Sequence, residues 1–217
     1  TLCTEASKNS DGVYPYNSFV IPCTVEALKF FMSFTLLVSS RLRGDTVAVS
    51  FRPARFASYG LPALCYFVSN NCMFFIIQEM GPTTYQITSN LKIIATGILM
   101  RIFLHVKLSW LRWKALALVA LGSALTQLQG KETEEVEEKG SWWFGFLLVT
   151  FQAFAAGAGG VLSEKLLKAN GAVESIHWQN MQLYMFGFMF GLVPSLSAAE
   201  INGRLFEGFN VWACAAI

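Results

Sequence analysis

Long runs of hydrophobic residues, separated by short polar links, dominate the pattern of this 217-residue chain. Each run reaches the roughly 20 residues that a helix needs to cross a lipid bilayer. The links are short; in one of them, EMGP, the pair Gly81-Pro82 predicts a tight turn. The pattern therefore predicts an all-α, polytopic membrane helix bundle. Its apolar segments lie at about 14–40, 56–78, 83–104, 110–129, 141–163 and 178–199.

The overall composition agrees with a membrane protein. Hydrophobic residues make up 54% of the chain and charged residues only 14%, whereas a soluble domain usually has about 25% charged residues. The formal net charge of +2 is too small to indicate a nucleic-acid partner. We therefore expect the lipid bilayer, and no nucleic acid, among the partners of this protein.

Lysines and arginines are distributed unevenly between the two ends of the predicted segments. If the first segment runs inward from the non-cytoplasmic side, ten of them lie on the cytoplasmic side and four on the other. The ten are Arg41, Arg43, Arg52, Arg55, Arg101, Lys107, Arg112, Lys114, Lys165 and Lys168, and the four are Lys8, Lys131, Lys139 and Arg204. This distribution follows the positive-inside rule. It places the acidic run KETEEVEEK on the non-cytoplasmic side, as a solvated link.

The cysteines and histidines predict neither a metal site nor an enzyme. His105 and His177 lie near segment ends, and the chain contains no GxSxG, HExxH or glycine-rich phosphate loop. We therefore expect no catalytic residue, metal or cofactor. The cysteines are scattered, odd in number and without CxxC spacing, so they are predicted to be buried apolar thiols. They are Cys3, Cys23, Cys65, Cys72 and Cys214.

A lysine interrupts the third apolar segment, in the stretch TTYQITSNLKIIATG. Placing a lysine in the middle of a bilayer costs roughly 2.5–3.5 kcal/mol, so such a residue usually faces a cavity or a partner. Tyr85, Thr88, Lys92 and Thr96 are spaced by 3, 4 and 4 residues, which predicts one face of a helix, with Gln86 beside it. The spacing predicts that Lys92 faces a polar interior.

Other segments carry polar, aromatic or small residues at helical spacing. Glu26 and Lys29 share a face and can pair with each other, which would make them structural. The run AAGAGG at 155–160 allows another backbone to approach closely, or the helix to bend. The remaining positions are Ser33, Tyr59, Tyr66, Asn70, Asn180, Tyr184, Gly187 and Gly191.

These groups suggest the kind of ligand that the interior would hold. An unpaired cation favours an anion, tyrosines offer stacking surfaces, and asparagine and glutamine can hydrogen-bond to a base or a sugar. A phosphate-bearing metabolite with an aromatic ring satisfies the set. A lysine paired with a buried carboxylate would produce the same pattern without any ligand.

Several motifs, in order, resemble the nucleotide-sugar transporters, in the branch that carries CMP-sialic acid, UDP-galactose and UDP-N-acetylglucosamine. They are VEALKF, with Glu26 and Lys29; YFVSNNCMFFIIQEMGPTTYQITSNLKI, with an Asn-Asn pair and a Tyr-Gln…Leu-Lys-Ile motif; GAGGVLSEKLLK; and WQNMQLYMFG. The resemblance covers about residues 18–195. Two positions depart from the family pattern: Ser163 stands where an aromatic residue is common, and Gln179 replaces the usual arginine before Asn180.

The resemblance implies a ten-helix transporter built from two inverted five-helix halves, with both termini in the cytosol. This chain would be a fragment, a single incomplete domain over 1–217 that contains about helices two to seven and the start of eight. The first half-repeat would cover about 1–130, and the second would start at about 141. Because relatives carry a second phosphate-facing lysine in later helices, we do not expect the fragment alone to transport.

The resemblance further implies exchange of a cytosolic nucleotide sugar for a lumenal nucleoside monophosphate, in the Golgi membrane or, as second choice, the endoplasmic reticulum. A homodimer is a further expectation. A non-transporting scaffold of the same fold and an exporter of another metabolite are the alternatives. Lys92 would face the phosphates, with Tyr85 and Asn70 in the same cavity. The other predicted binding residues are Lys29, Glu26, Gln86, Thr88, Asn180 and Tyr184, and the predicted packing or gating residues are Gly157, Gly160, Gly187 and Gly191.

Overall fold

The computed structural model describes residues 17, 19–44, 48–105, 109–130, 142–170 and 174–202, in which every regular element is a helix. The predicted all-α class is therefore confirmed. The acidic run KETEEVEEK, and with it the predicted join between the two half-repeats, lies outside the described residues. The helices are α1 Val20–Leu42, α2 Pro53–Ser58, α3 Gly60–Met80, α4 Pro82–Thr88, α5 Leu91–Phe103, α6 Trp110–Gly130, α7 Trp142–Asn170 and α8 Ile176–Asn202.

Three of the described stretches are long and apolar enough to cross a membrane: Val20–Leu42, Pro53–Met80 and Trp143–Ala169. Helices α6 and α8 have sufficient length but are not among these three; Arg112 and Lys114 lie near the start of α6, and polar residues such as Gln179 and Gln182 interrupt α8. The third predicted segment does not form one continuous helix and is too short on either side of its break. Length and composition alone thus support three of the six predicted spans.

The predicted segment 83–104 is broken at Ser89 and Asn90. Helix α4 ends at Thr88 and α5 begins at Leu91. The Ser89 hydroxyl donates to the Gln86 carbonyl oxygen at 2.7 Å, so a side chain competes with the helical backbone at this point. Consequently Lys92 lies in the first turn of α5, beside the break, rather than in the middle of an uninterrupted helix.

Helix α7 extends seven residues beyond the predicted end of its apolar segment at 163. Its last turns carry an ion pair at i,i+4, in which Lys168 Nζ lies 2.5 Å from Glu164 Oε1. Such a pair stabilises an exposed helical turn. The apolar pattern therefore ended before the helix did, and the charged continuation of α7 remains helical, with Leu167 still on the cavity wall.

The helices pack so that a polar interior remains between them. Helix α1 runs along α8, α3 packs on both α7 and α8, and α5 packs on α7. An apolar cluster between α3, α4 and α7 contains Ile76, Ile77, Met80, Tyr85 and Val149. This cluster packs the start of α7 against the α3–α4 turn, close to Lys92.

At the opposite end of α3, polar contacts join α2 and α3 to the start of α8. Arg55 forms an ion pair with the fully buried carboxylate of Glu174. The Tyr59 hydroxyl donates to Gln179 Oε1 at 2.9 Å, and Trp178 Nε1 donates to the Ser50 carbonyl oxygen at 3.1 Å. These contacts hold the start of α8 against α2 and the start of α3, on the side that the charge distribution assigns to the cytoplasm.

Candidate functional site

A cavity of about 430 Å³ lies between α1, α3, α5, α7 and α8. It contains six of the nine residues that the sequence predicts for ligand binding, and two of the four predicted glycines. Its lining consists of Pro22, Cys23, Glu26, Lys29, Ala63, Tyr66, Phe67, Asn70, Lys92, Ser163, Leu167, Asn180, Leu183, Tyr184, Gly187 and Gly191. The volume lies in the range of small-molecule sites, about 300–1,000 Å³.

Lys92 brings a cation to this cavity. Its side chain is exposed, and none of the described carboxylates lies within ion-pair distance of its ammonium group. Because Lys92 lies in the first turn of α5, the positive end of that helix dipole adds to its charge. The combination produces a positive potential on one wall, which favours an anionic ligand.

Lys29, the second cation of the cavity, is already paired. Its Nζ lies 2.8 Å from Glu26 Oε1, which confirms the pairing suggested by the i,i+3 spacing. The same Nζ lies 5.7 Å from the ring centroid of Tyr184, within the range of a cation–π interaction. Lys29 therefore contributes little net charge, and the Lys29–Glu26 pair fixes the position of the Tyr184 ring.

A smaller cavity of about 190 Å³ adjoins the first and shares Asn70 and Lys92 with it. Tyr85 lines this smaller cavity, with its hydroxyl 2.9 Å from Gln152 Nε2. Gln152 also donates to the Ser69 carbonyl oxygen at 3.0 Å. Gln152 was not among the predicted site residues, although a glutamine inside an otherwise apolar segment is a usable signal.

Two predicted binding residues do not reach either cavity. Gln86 is exposed, and Thr88 is buried with its hydroxyl donating to the Thr84 carbonyl oxygen at 2.7 Å. The helix break after Thr88 is the physical reason, because helical spacing does not carry a common face across it. The predicted stripe through Lys92 therefore divides into an α4 part and an α5 part.

The predicted glycines lie at close helix contacts. A Cβ on Gly187 would stand 3.0 Å from Glu26 Oε2, and one on Gly191 would stand 3.1 Å from Cys23 Cβ. A Cβ on Gly157 would meet α5 at about the same distance, whereas one on Gly160 would find ordinary contact with Tyr66 at 3.7 Å. The tighter contact, at 3.2 Å from the Tyr66 ring, belongs to Gly159, which lies in the same AAGAGG run but was not among the predicted gating residues.

Ser163 and Gln179, the two departures from the family pattern, have different surroundings. Ser163 lines the large cavity, and its buried hydroxyl has no hydrogen-bond partner among the described residues. Gln179 is 1% exposed and does not line the cavity; its amide bonds to Tyr59 and to the Glu174 carbonyl oxygen. Ser163 thus belongs to the cavity, and Gln179 to the contacts at the end of the bundle.

The described cysteines carry free thiols, with Cys23 buried and Cys65 and Cys72 half-buried. Cys3 and Cys214 lie outside the described residues. Within the described ranges, no group of three or more His, Cys, Asp or Glu side chains is arranged to hold a metal ion.

Comparison with known proteins identifies the family. The profile of the family described as "Nucleotide-sugar transporter" matches residues 4–217. A CMP-sialic acid transporter 1 from Oryza sativa subsp. indica is 36% identical over 213 residues, covering 93% of this chain and 65% of that protein. A probable UDP-sugar transporter protein SLC35A4 from Xenopus tropicalis is 29% identical, covering 93% of this chain and 63% of that protein.

A third relative, UDP-galactose translocator 1 from Caenorhabditis elegans, is 28% identical and covers 97% of this chain and 62% of that protein. The chain therefore spans just under two thirds of the length of these relatives. All three are named as transporters or translocators, and none as an enzyme. This chain is a helical membrane protein that belongs to the nucleotide-sugar transporter family.

Proposed function

We propose that the full-length protein carries a pyrimidine nucleotide sugar from the cytosol into the Golgi lumen, in exchange for a nucleoside monophosphate. The substrates named for the relatives, CMP-sialic acid, UDP-sugar and UDP-galactose, share a pyrimidine nucleoside with phosphate and differ in the base, the number of phosphates and the sugar. The nucleotide is also the part that substrate and product have in common. A site that recognises it therefore serves both directions of an exchange.

Lys92 is the single observation that carries the proposal. It places an exposed ammonium group without a described carboxylate partner on the wall of a polar and aromatic cavity. A lysine within a membrane helix bundle usually faces a cavity and pairs with an anion. The phosphate of a nucleotide supplies that anion, so Lys92 holds the phosphate in this proposal.

The other walls of the cavity suit the rest of a nucleotide. Tyr66 and Tyr184 offer aromatic faces for a base, and the amides of Asn70 and Asn180 offer both donors and acceptors. The Glu26–Lys29 pair holds the Tyr184 ring on one side. Tyr85 lines the adjoining small cavity beside Lys92 and contributes to the phosphate end of the site.

Alternating access follows from the division of the cavity walls between the two halves of the chain. Helices α1, α3 and α5 belong to the first predicted half, and α7 and α8 to the second. A rocking motion of one half against the other would open the same site to each side of the membrane in turn. Exchange results if the loaded carrier reorients faster than the empty one.

Counterflow uptake by the full-length protein in proteoliposomes tests this proposal. Vesicles are preloaded with CMP, UMP or, as a purine control, AMP, and then receive labelled CMP-sialic acid, UDP-galactose or UDP-N-acetylglucosamine. We expect uptake of one sugar nucleotide that depends on its matching trapped pyrimidine monophosphate. Absence of uptake from correctly folded protein with every pair would contradict the proposal and favour a scaffold or the export of another metabolite.

A variant at Lys92 tests whether the cavity binds the transported nucleotide. We expect Lys92→Ala to weaken nucleotide binding by roughly 10- to 150-fold, as expected for the loss of a hydrogen bond to a charged group. Lys92→Arg should retain a larger part of the affinity because it keeps the charge. Lys168→Ala is the matched control, since it removes a lysine from the exposed end of α7. Equal affinity in Lys92→Ala and the unmodified protein would remove Lys92 from the site.

A further inference from the structure

Ser163 combines burial, an unused hydrogen-bonding group and a position on the cavity wall. Its side chain is 8% exposed, and its Oγ is buried with no hydrogen-bond partner among the described residues. A buried polar group without a partner is costly, and most serines inside helices instead donate to a carbonyl oxygen one turn earlier. Ser195 of α8 does so, donating to the Gly191 carbonyl oxygen at 2.7 Å.

The position of Ser163 along α7 relates it to the aromatic part of the cavity. The Tyr66 ring lies against Gly159 and Gly160, which are four and three residues before Ser163 and therefore on the same helix face. Leu167, four residues after Ser163, also lines the cavity. Ser163 thus stands one helical turn beyond the Tyr66 ring, on the wall that faces the cavity.

The predicted phosphate end of the site lies nearer the N-terminus of α7 than Ser163 does. Lys92 shares the small cavity with Gln152, Ala153 and Ala156 of α7. These three residues precede Ser163 by seven to eleven residues, which corresponds to roughly 10–16 Å along a helix axis; Lys92 also lines the 430 Å³ cavity together with Ser163. A ligand whose phosphate lies at Lys92 and whose base lies near Tyr66 would therefore present its nucleoside, rather than its phosphate, to Ser163.

We propose that the Ser163 hydroxyl is a binding contact to the nucleoside part of the ligand. This assignment rests on the proposed function. Rotation about the Cα–Cβ bond moves Oγ without moving the backbone, and no existing hydrogen bond opposes that rotation. The hydroxyl can donate to or accept from a base or a ribose, so ligand binding supplies the partner that the protein does not.

The proposed contact predicts that removing the hydroxyl preserves or raises thermal stability and lowers ligand affinity. Ser163→Ala should leave the ligand-free full-length protein with an equal or higher melting temperature, because an unpartnered buried polar group disappears. Its affinity for the nucleoside monophosphate and for the matching nucleotide sugar should fall by the same factor, roughly 2- to 10-fold. Ser163→Thr, which keeps the hydroxyl, should restore part of the affinity.

Ligand-induced thermal stabilisation of the purified full-length protein measures both quantities, with CMP, UMP, CMP-sialic acid and UDP-galactose as probes. Ser195→Ala is the matched control, since it removes a buried hydroxyl that has a hydrogen-bond partner and belongs to a residue that does not line the cavity; its affinities should remain unchanged. Unchanged affinities in Ser163→Ala, or weaker binding of the nucleotide sugar alone, would overturn the nucleoside contact. Failure of every nucleotide to stabilise the unmodified protein would overturn the proposed function and this assignment together.

Discussion

The side-chain amide of Gln152 holds the Tyr85 hydroxyl in place. Its two hydrogens serve two acceptors, the Tyr85 hydroxyl at 2.9 Å and the Ser69 carbonyl oxygen at 3.0 Å. One side chain of α7 thereby ties together α3 and α4, immediately before the break that precedes Lys92. The position of the predicted phosphate end of the cavity thus depends on a residue that does not itself carry charge.

We expect Gln152→Leu to lower the melting temperature more than Tyr85→Phe does. Gln152→Leu deprives the buried Tyr85 hydroxyl of its donor and removes both bonds, a loss of about 1–3 kcal/mol. Tyr85→Phe leaves the bond to Ser69 intact and should cost about 1 kcal/mol. Thermal unfolding of both variants and of the double variant measures the coupling. Additive effects of the two substitutions would contradict a direct interaction.

Hydrophobic runs were sufficient to predict the all-α class and the approximate limits of most helices. They were insufficient at Ser89 and Asn90, because two polar residues within an apolar run do not distinguish an interior stripe from a break in the helix. The side-chain bond from Ser89 to the Gln86 carbonyl oxygen, which accompanies the break, is a local competition that hydropathy does not record.

The same break explains why some of the predicted site residues line the cavity and others do not. Glu26, Lys29, Asn180 and Tyr184 lie in unbroken helices, and helical spacing brought all four to one cavity. Gln86 and Thr88 lie before the break and do not reach it. Ser163 was noticed in the sequence as a departure from the family pattern, but its place in the cavity wall, like the contacts of Gln152, came only from the tertiary structure. Ligand binding by the residues of the cavity stays a prediction.

Glu26 offsets part of the positive charge of the cavity, so its removal should strengthen anion binding. Lys29 and Glu26 form an ion pair at 2.8 Å, which leaves Lys92 as the net positive charge among the described lining residues. Glu26→Gln would add a second unpaired cation while keeping the shape of the side chain. We expect affinity for a nucleoside monophosphate to rise by roughly 3- to 10-fold at low salt.

Added salt provides the internal control for this charge effect. The gain in Glu26→Gln should shrink between 50 mM and 500 mM salt because mobile ions screen the partly exposed Lys29. Isothermal titration of the variant and the unmodified protein at both salt concentrations measures the difference. A lower affinity in the variant would show that the Glu26–Lys29 pair acts by positioning Tyr184 rather than through its net charge.

Two helical glycines should respond in opposite directions to the same substitution. A Cβ on Gly157 would lie 3.1 Å from Thr96 Oγ1 and 3.2 Å from the Thr96 backbone nitrogen, so α5 and α7 would have to separate. Gly122 in α6 has no described heavy atom within 4 Å of its Cβ position. We expect Gly157→Ala to destabilise the protein, and Gly122→Ala to stabilise it by up to about 1 kcal/mol through helix propensity. Thermal unfolding compares them, and an equal shift in both would contradict a tight α5–α7 contact.

Arg55 and Glu174 form a buried ion pair, and removing Arg55 should destabilise the protein more than removing Glu174. The Glu174 side chain is fully buried and its Oε2 has no described partner, whereas Arg55 is 20% exposed. Arg55→Leu leaves a carboxylate in a dry environment, which typically costs about 3–5 kcal/mol. Glu174→Leu leaves a guanidinium that still reaches solvent, so its cost should be smaller.

The exposed pair of Glu164 and Lys168 is the matched control for this prediction. Their side chains are 35% and 66% exposed, and such surface pairs contribute little to stability. We therefore expect Glu164→Leu and Lys168→Leu to change the melting temperature slightly and to similar extents. Equal destabilisation by Arg55→Leu and Glu174→Leu would contradict the expected asymmetry of the buried pair.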